Sequence, residues 1–369
     1  MKKSGLFHRK VVMGVELEGY TILKPQFLIS RKMAFHRKGI GEKGERFTRD
    51  WSIGTEYNSR PFTTIREGLF LLKTGLRKYN TSFYRTQTRS RKGRQIFLVG
   101  GWNDRFAGTH IHLSLADRAM KYGEAKKIAA YLHDHLPLLI AVTANSPVWD
   151  DKITGLAANR VLRGSKKYFH PIVRDGLTKR EFDEITYSHG RVTKPPTLEI
   201  RVMDSNIPEF VIAAACLVKA LVLAYLRRKK SANVLSHYRY LRSRQDAARK
   251  GMQAKLCWND EWLSATEYLD RFFWVYRKEL KEIQLPYEMI TVFRLLKKGI
   301  NGSQIIREAA QKAYAAHPQT WQKRFAKRYD RAMQQIVSGN SLSEFMQELK
   351  VDLPNLSKVW LGRKKMDLL

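Results

Sequence analysis

Polar and apolar residues alternate in four short segments of the first 226 residues, and longer helical stretches separate these segments. Alternation with a period of two predicts strands, and the segments are VVMGVELEGY, RQIFLVGGW, THIHLSLA and PTLEIRVMD. Residues 61–79, 121–145 and 208–226 have the apolar pattern of helices. This order of strands and helices predicts an α+β catalytic domain over residues 1–226.

The pattern changes near residue 227. Residues 227–369 have the pattern of amphipathic helices rich in Lys and Arg, with aromatic residues between the bases. We interpret them as a C-terminal helical extension and as a candidate region for binding an acceptor or a nucleic acid.

The strands carry an unusual selection of polar side chains opposite their apolar rows. Successive side chains of a strand point to opposite faces, so residues two apart share a face. The residues selected in this way are Glu16, Glu18, His110, His112, Glu199 and Arg201, and Glu56 lies in a further segment, RDWSIGTEYNSRP. The solvated face of an ordinary antiparallel sheet also alternates. In a chain with 68 Lys and Arg against 34 Asp and Glu, however, such a face should carry Lys, Arg and Thr, so Glu and His favour a functional site.

Clustered carboxylates indicate a bound cation. They repel one another and raise one another's pKa unless positive charge neutralises them. Oxygen-rich ligation with an imidazole suits Mg²⁺ or Mn²⁺ better than zinc. An arginine on the same face matches a phosphate, because its planar fork binds phosphate oxygens in pairs.

Composition narrows the class of protein. The chain is 43% hydrophobic and 28% charged, which is typical of globular proteins. A net charge of +34 exceeds what solubility requires and points to a polyanionic partner. Cys216 and Cys257 lie far apart without a CxxC motif, which argues against a disulfide framework and a zinc knuckle. We therefore expect a reducing, cytoplasmic environment.

Three stretches imitate other signals. Residues 207–226 resemble a membrane span followed by a basic stop, but Glu209 and Lys219 interrupt them, so we predict a core helix and no membrane. The N-terminal apolar stretches are too short for a secretory signal. Gly39, Gly41 and Gly44 form a GxGxxG pattern in charged loop sequence, which does not predict a dinucleotide site.

The motifs resemble those of a known superfamily. GVELE is similar to the GxExE strand of the glutamine-synthetase-type carboxylate–amine ligases, GTHIHLSL to their HxH strand, and TLEIRVMDSN to their ExR strand. HLPLLIAVTANSPVWDDKITGLAANR and SIGTEY more specifically resemble segments of the two-histidine glutamate–cysteine ligase-like family and the related amidoligases. The resemblance covers about residues 12–226 and keeps the motif order. It implies a curved antiparallel sheet with helices on one face.

The resemblance also implies site residues. Those that match metal ligands are Glu16, Glu18, Glu56, His110 and Glu199. Arg201 matches an arginine that contacts nucleotide phosphates, His112 a second site histidine, and Arg160 a basic residue near the phosphates. ATP and Mg²⁺ or Mn²⁺ are the implied cofactors.

The implied reaction is amide formation from a carboxylate donor, such as the amino acid glutamate, and an amine carried on a small molecule or a macromolecule. ATP converts the carboxylate to an acyl phosphate, and the amine displaces phosphate. Asp204 or Asp50 could deprotonate the incoming ammonium. Two alternatives stay open, a Mg²⁺-dependent nuclease and a nucleic-acid-binding protein, because acidic clusters and basic surfaces also serve these functions.

Overall fold

A computed structural model describes residues 3–31, 44–48, 50, 52–86, 93–179, 182–190 and 194–361. The strands are β1 Val11–Leu23, β2 Leu28–Ser30, β3 Arg46–Thr48, β4 Thr55–Asn58, β5 Arg94–Phe97, β6 Gly108–Leu115, β7 Val148–Trp149, β8 Lys152–Ile153, β9 Ile185–Ser188, β10 Thr197–Asp204, β11 Lys255–Trp258 and β12 Glu261–Ser264. The predicted GxGxxG loop residues Gly39 and Gly41 lie outside the described residues.

Helices make up most of the rest of the fold. They are α1 Ile65–Thr86, α2 Tyr122–His133, α3 Leu136–Thr143, α4 Asn159–Tyr168, α5 Pro208–Arg228, α6 His237–Lys250, α7 Ala265–Val275, α8 Arg277–Ile283, α9 Tyr287–Lys297, α10 Gly302–Ala316, α11 Trp321–Ser338 and α12 Leu342–Glu348. Residues Lys3–Lys10 and Gly251–Gln253 form 3₁₀ turns.

The main sheet is antiparallel and has the strand order β3-β4-β1-β6-β10-β9. Strand β1 is long enough for its two halves to pair with different strands. Its first half pairs with β4 and β6, and its second half pairs with β2 and β5. This arrangement places the GVELE, HIH and LEIR segments on three adjacent strands, as the α+β prediction requires.

The apolar row of β1 faces the core. Val11, Met13, Val15 and Leu17 are fully buried and belong to one hydrophobic cluster with residues of α1 and α5. Burial of these alternate side chains orients the strand, because a slip of one residue would expose the whole row. The acidic residues between them are thereby turned to the other face.

Helix α5 contains the membrane-like run. The helix is long and apolar enough to cross a membrane, but residues 208–225 are all buried within the protein. The two charged residues within its apolar run have partners inside: Lys219 Nζ donates to the carbonyls of Val11 (3.1 Å) and Thr63 (2.6 Å), and Glu209 pairs with Lys73 at 2.7 Å. Such pairing allows charged groups in an interior, so α5 packs as the predicted core helix.

Residues beyond 227 are mainly helical, as predicted, with one correction. The segment KLCWNDEWLS forms the two-stranded hairpin β11–β12 rather than a helix. Its two-residue loop contains Asn259 at a positive φ of 53°, a backbone conformation that short hairpin loops require. Helix α6 packs on α3, and α8 and α9 pack on α5. The division of the chain at residue 227 stays a prediction.

Candidate active site

Three pairs of predicted site residues lie directly opposite each other in the sheet. On β1 and β6, Glu16 pairs with His110. On β1 and β4, Glu18 pairs with Glu56, and on β6 and β10 His112 pairs with Glu199. Side chains in such pairs are about 5 Å apart at Cβ, so the strand registers bring the acids and imidazoles together.

His110 lies at the centre of this acidic face. Its Nδ1 is 3.1 Å from Glu199 Oε1 and 3.4 Å from Glu16 Oε2, and its Nε2 is 3.7 Å from Glu18 Oε1. The ring is buried, with 3% of the residue exposed. One imidazole thus contacts carboxylates from two neighbouring strands.

The described residues form two groups of candidate metal donors. The first is Glu16, His112 and Glu199, and the second is Glu18, Asp50 and Glu56. Within each group the ligating atoms all lie within 4.8 Å of one another. The geometry therefore adds His112 and Asp50 to the candidate donors, while the assignment of His110 as a ligand stays a prediction.

Local hydrogen bonds position Asp50 and Glu56. Asp50 Oδ1 accepts from the backbone N–H groups of Ser52 (2.8 Å) and Ile53 (2.7 Å), which is an Asx turn before β4. Glu56 Oε1 accepts from Thr48 (2.8 Å) and Asn58 (2.6 Å). Sequence analysis considered Asp50 only as a base, although the D-x-S pattern before the strand was a signal for this turn.

Burial and charge divide the acids into two kinds. Burial raises the pKa of Glu18, and burial together with the charge of Glu16 raises the pKa of Glu56. Burial would also raise the pKa of Glu199, but His110, His112 and Arg201 outweigh it and lower that pKa to about 2. In the second donor group, burial therefore outweighs the positive charge of His110, whereas in the first group the neighbouring cations outweigh burial.

The pKa of the central imidazole, His110, shifts upward, whereas that of Glu199 shifts downward. Burial and Arg201 lower the pKa of His110, yet Glu18, Glu16 and Glu199 outweigh them and raise it to about 9. The surrounding carboxylates thus favour the protonated form of His110, which adds positive charge to the acidic face beside that of Arg201.

The donor atoms fit a divalent metal ion. His112 Nε2 is 3.0 Å from Glu16 Oε1, yet both ring nitrogens of His112 are buried without a hydrogen-bond partner in the described part of the chain. Adjacent ligands of an octahedral ion with bonds of about 2.1 Å lie about 3 Å apart. Carboxylate oxygens with an imidazole match the donor set of Mg²⁺ or Mn²⁺.

Arg201 shares this face. One guanidinium N–H donates to Glu199, and the other side of the group, at Nε, is buried without a partner among the described residues. The backbone N–H of Arg201 donates to the carbonyl of Glu184 at 2.9 Å. An unsatisfied N–H beside a carboxylate site fits a phosphate oxygen.

Arg160 is buried against β10, and its match to a basic residue near the phosphates stays a prediction. It is 2% exposed, and its Nη1 donates to the carbonyls of Arg201 (3.0 Å) and Met203 (3.1 Å). These carbonyls belong to a stretch where the β6–β10 register shifts. Its guanidinium also stacks on Phe169 at 4.5 Å. Arg160 thus supports β10, because a bulge leaves carbonyls that need donors.

Asp204 is also set apart from the acidic face. It is 1% exposed and accepts from the Asn145 N–H (2.8 Å) and the Ser146 hydroxyl (2.7 Å). Burial raises its pKa to about 6. Of the two candidate bases, Asp50 lies among the metal donors and Asp204 is enclosed in the core, so neither position favours proton transfer from a free amine.

A cavity of about 510 Å³ opens beside Glu16 and His112. Its lining includes Arg46 and Lys194, and both are exposed. Pockets of this size hold small-molecule ligands. Sequence analysis did not select these two cations, because Arg46 follows a loop without a recognisable motif and Lys194 precedes the strand.

Comparison with known families supports the motif resemblance. The model of the glutamate–cysteine ligase family 2 matches residues 75–163. This range contains β6, with His110 and His112, and reaches Arg160 in α4.

Two curated relatives are similar to parts of the chain. "Putative glutamate–cysteine ligase 2" of Bradyrhizobium diazoefficiens is 25% identical over 192 residues, which are 46% of this chain and 44% of that protein. "Putative glutamate–cysteine ligase 2-3" of Rubrobacter xylanophilus is 30% identical over 118 residues, 31% of this chain and 30% of that protein. The chain therefore matches less than half the length of either relative.

Solved structures share the fold. The complex of the prokaryotic ubiquitin-like protein Pup with its ligase PafA matches with a TM-score of 0.58 and 12% identity, over 95% of this chain and 81% of that one. Glutamate–cysteine ligase from Francisella tularensis, in complex with AMP, matches with a TM-score of 0.54 and 12% identity, over 92% of each chain. The resemblance to carboxylate–amine ligases and the predicted α+β fold are confirmed.

Proposed function

We propose that this protein is an ATP-dependent carboxylate–amine ligase that forms an amide through an acyl phosphate and releases ADP and phosphate. The observation that supports the proposal most is the meeting of two three-donor groups and Arg201 on one face of the sheet. Motif order and the match to the glutamate–cysteine ligase family 2 agree with it.

The site residues suit the chemical problem. A carboxylate resists attack by an amine because it is negatively charged and its leaving group is oxide; phosphorylation by ATP removes both obstacles. Glu16, His112 and Glu199 would hold one Mg²⁺ or Mn²⁺, and a bound ion supplies neutralising charge to the phosphates. Arg201 pairs with Glu199 and keeps an Nε–H without a partner among the described residues, and it would stabilise charge on the transferred phosphoryl group.

We assign the carboxylate donor to the cavity beside Glu16 and His112. Arg46 and Lys194 also line it and give it positive charge. An amino acid such as glutamate fits, because its second carboxylate can pair with these cations while the reacting one lies near the metal donors. The amine acceptor would lie beside the carboxyl carbon of the donor, where it forms the C–N bond while the C–O bond to phosphate breaks.

The net charge of +34 makes a nucleic acid a candidate carrier of the amine acceptor. An amine borne on a nucleic acid would be attracted to such a chain from a distance.

Cys216 and Cys257 are both buried free thiols, which agrees with the proposed cytoplasmic location.

A metal-dependent nuclease is the second candidate. Two neighbouring acidic groups are also how two-metal phosphodiesterases hold their ions. A nuclease needs no ATP, so the two functions separate in one assay.

The experiment is a screen for ADP release with Mg²⁺, in which each amino acid is offered as donor and pooled amines, DNA and RNA as acceptors. We expect ADP release that depends on one donor and is absent from the Arg201→Gln variant. Metal-dependent cleavage of DNA or RNA without ATP, and no donor-dependent ADP, would replace the ligase with the nuclease.

A further inference from the structure

A basic groove lies outside the acidic face, between α6 and the β11–β12 hairpin. Its cavity is about 420 Å³. The lining residues are Arg242, Gln245, Asp246, Arg249, Lys250, Lys255 and Trp262. Four cations therefore surround a cavity with one carboxylate.

That carboxylate is already neutralised. Asp246 Oδ1 is 2.9 Å from Lys250 Nζ, and its Oδ2 accepts from the backbone N–H of Lys255 at 2.7 Å. Within the described ranges, no carboxylate lies within 4 Å of the guanidinium groups of Arg242 and Arg249, and both residues are exposed. The groove therefore has positive charge that the protein does not compensate.

Aromatic rings accompany this charge. The guanidinium of Arg242 stacks on Trp262 at 4.8 Å. Tyr238 precedes Arg242 by one helical turn, on the same face of α6, and is 68% exposed. Most aromatic side chains of this region are core residues, including Tyr240, Phe272 and Tyr329, which are fully buried. Tyr238 is thus an exception placed beside the cations.

The inner face of α6 holds the groove in shape. Ser243 accepts the backbone N–H of Cys257 at 3.0 Å and ties the hairpin to the helix. Arg244, a further base of α6, is buried in an ion pair with Glu184. The carbonyl of Glu184 accepts from the N–H of Arg201, so α6 connects the groove to the strand of the candidate active site.

We propose that this groove binds single-stranded nucleic acid. Arg242, Arg249 and Lys255 contact successive phosphates, and Tyr238 stacks on a base. Stacking on an exposed ring requires an unpaired base, which favours a single strand over a duplex. A recessed groove with basic and aromatic side chains suits a single nucleic-acid strand better than a flat membrane surface, because membrane binding needs protruding apolar side chains. Binding itself does not depend on the proposed ligase function. Only its purpose does: the bound nucleic acid would carry the amine acceptor to the ligase site.

The test is fluorescence anisotropy of a labelled oligouridine of about 16 nucleotides with the full chain, at several salt concentrations. We expect the parent to bind with a steep salt dependence. The triple variant Arg242→Gln, Arg249→Gln, Lys255→Gln should lower the slope of log K against log salt by about 2, since each lost phosphate contact removes about 0.7.

Two further variants distinguish binding at the groove from attraction to the net positive charge of the chain. Tyr238→Ser should weaken binding several-fold without changing the salt slope, because stacking releases no counterions. The matched control Lys323→Gln, Arg324→Gln, Lys327→Gln removes the same charge from the exposed face of α11 and should have the smaller effect.

Three results would overturn the proposal. They are equal losses in the two triple variants, an unchanged affinity in Tyr238→Ser, and stronger binding to anionic lipid vesicles than to oligouridine. Binding is measured without ATP, so failure of the ligase assay and failure of this site are independent outcomes.

Discussion

Glu18 on β1 lies directly opposite Glu56 on β4, and burial raises the pKa of both carboxyl groups. Like charges in directly opposed positions destabilise an antiparallel pair. Asp50 completes this acidic group. A protein that keeps three acids together at the edge of its core gains from a cation there, which makes this pair the clearest structural sign of metal binding.

Replacement of Glu18 by Gln tests the metal site. The amide oxygen can still accept the N–H of Gly108, as Glu18 does, and repulsion with Glu56 disappears. We expect Mn²⁺ affinity to fall more than about tenfold, while the free energy of unfolding stays the same or rises by up to about 1 kcal/mol. Electron paramagnetic resonance of free Mn²⁺ and urea denaturation measure the two effects.

Asp117→Asn is the matched control, because it removes an exposed carboxylate just beyond β6. It should leave Mn²⁺ affinity unchanged. The metal site would be contradicted if the Glu18→Gln variant bound Mn²⁺ as tightly as the parent, or if the parent kept full activity in excess chelator.

Arg201→Lys keeps the positive charge but loses the planar fork and its Nε donor. We expect the rate of ADP formation to fall about 100-fold, with Mn²⁺ affinity close to that of the parent. Steady-state kinetics and metal binding measured on the same preparation check this. A parental rate would show that charge alone, without bidentate geometry, serves the site.

Arg160→Met tests the supporting role of the buried guanidinium. The carbonyls of Arg201 and Met203 would lose their donor, and an unsatisfied buried carbonyl costs about 1–3 kcal/mol. We therefore expect a loss of about 3 kcal/mol of stability by urea denaturation. Below the unfolding transition, the KM for ATP should be near the parental value. Unchanged stability with a raised KM would instead indicate direct contact with phosphate.

Asp204 should make stability depend on pH. Burial raises its pKa from 3.8 to about 6, so between these values the folded state holds a proton that the unfolded state has lost. The free energy of unfolding should therefore fall by about 2 kcal/mol as pH rises from 4 to 6, relative to Asp204→Asn. Parallel pH profiles of parent and variant would show that Asp204 keeps its ordinary pKa.

Much of the acidic face could be predicted from the sequence, since alternation alone places side chains on faces. Val15 and Leu17 are buried, so Glu16 and Glu18 must lie on the other face. Strand neighbours are a different matter. Nothing local to GVELE specifies that Glu18 meets Glu56 or that Glu16 meets His110; the pairing of distant strands decides it, and the family resemblance supplied that order.

The missed features depend on tertiary contacts or short turns. The family resemblance matches Arg160 to a basic residue near the phosphates, but it gave no sign that the β10 bulge offers carbonyls that hold the guanidinium in the core. The hairpin β11–β12 was missed because Trp258 and Trp262 fit a helical pattern equally well. The Asn259–Asp260 loop between them was the available signal.

The transfer of ¹⁸O from substrate to phosphate tests the proposed reaction most directly. The donor identified by the ADP screen is labelled in its carboxylate, and the products of one turnover are analysed by ³¹P nuclear magnetic resonance. An acyl phosphate intermediate predicts one labelled oxygen in the released phosphate, together with ADP. Label in AMP with release of pyrophosphate, or unlabelled phosphate, would contradict the account.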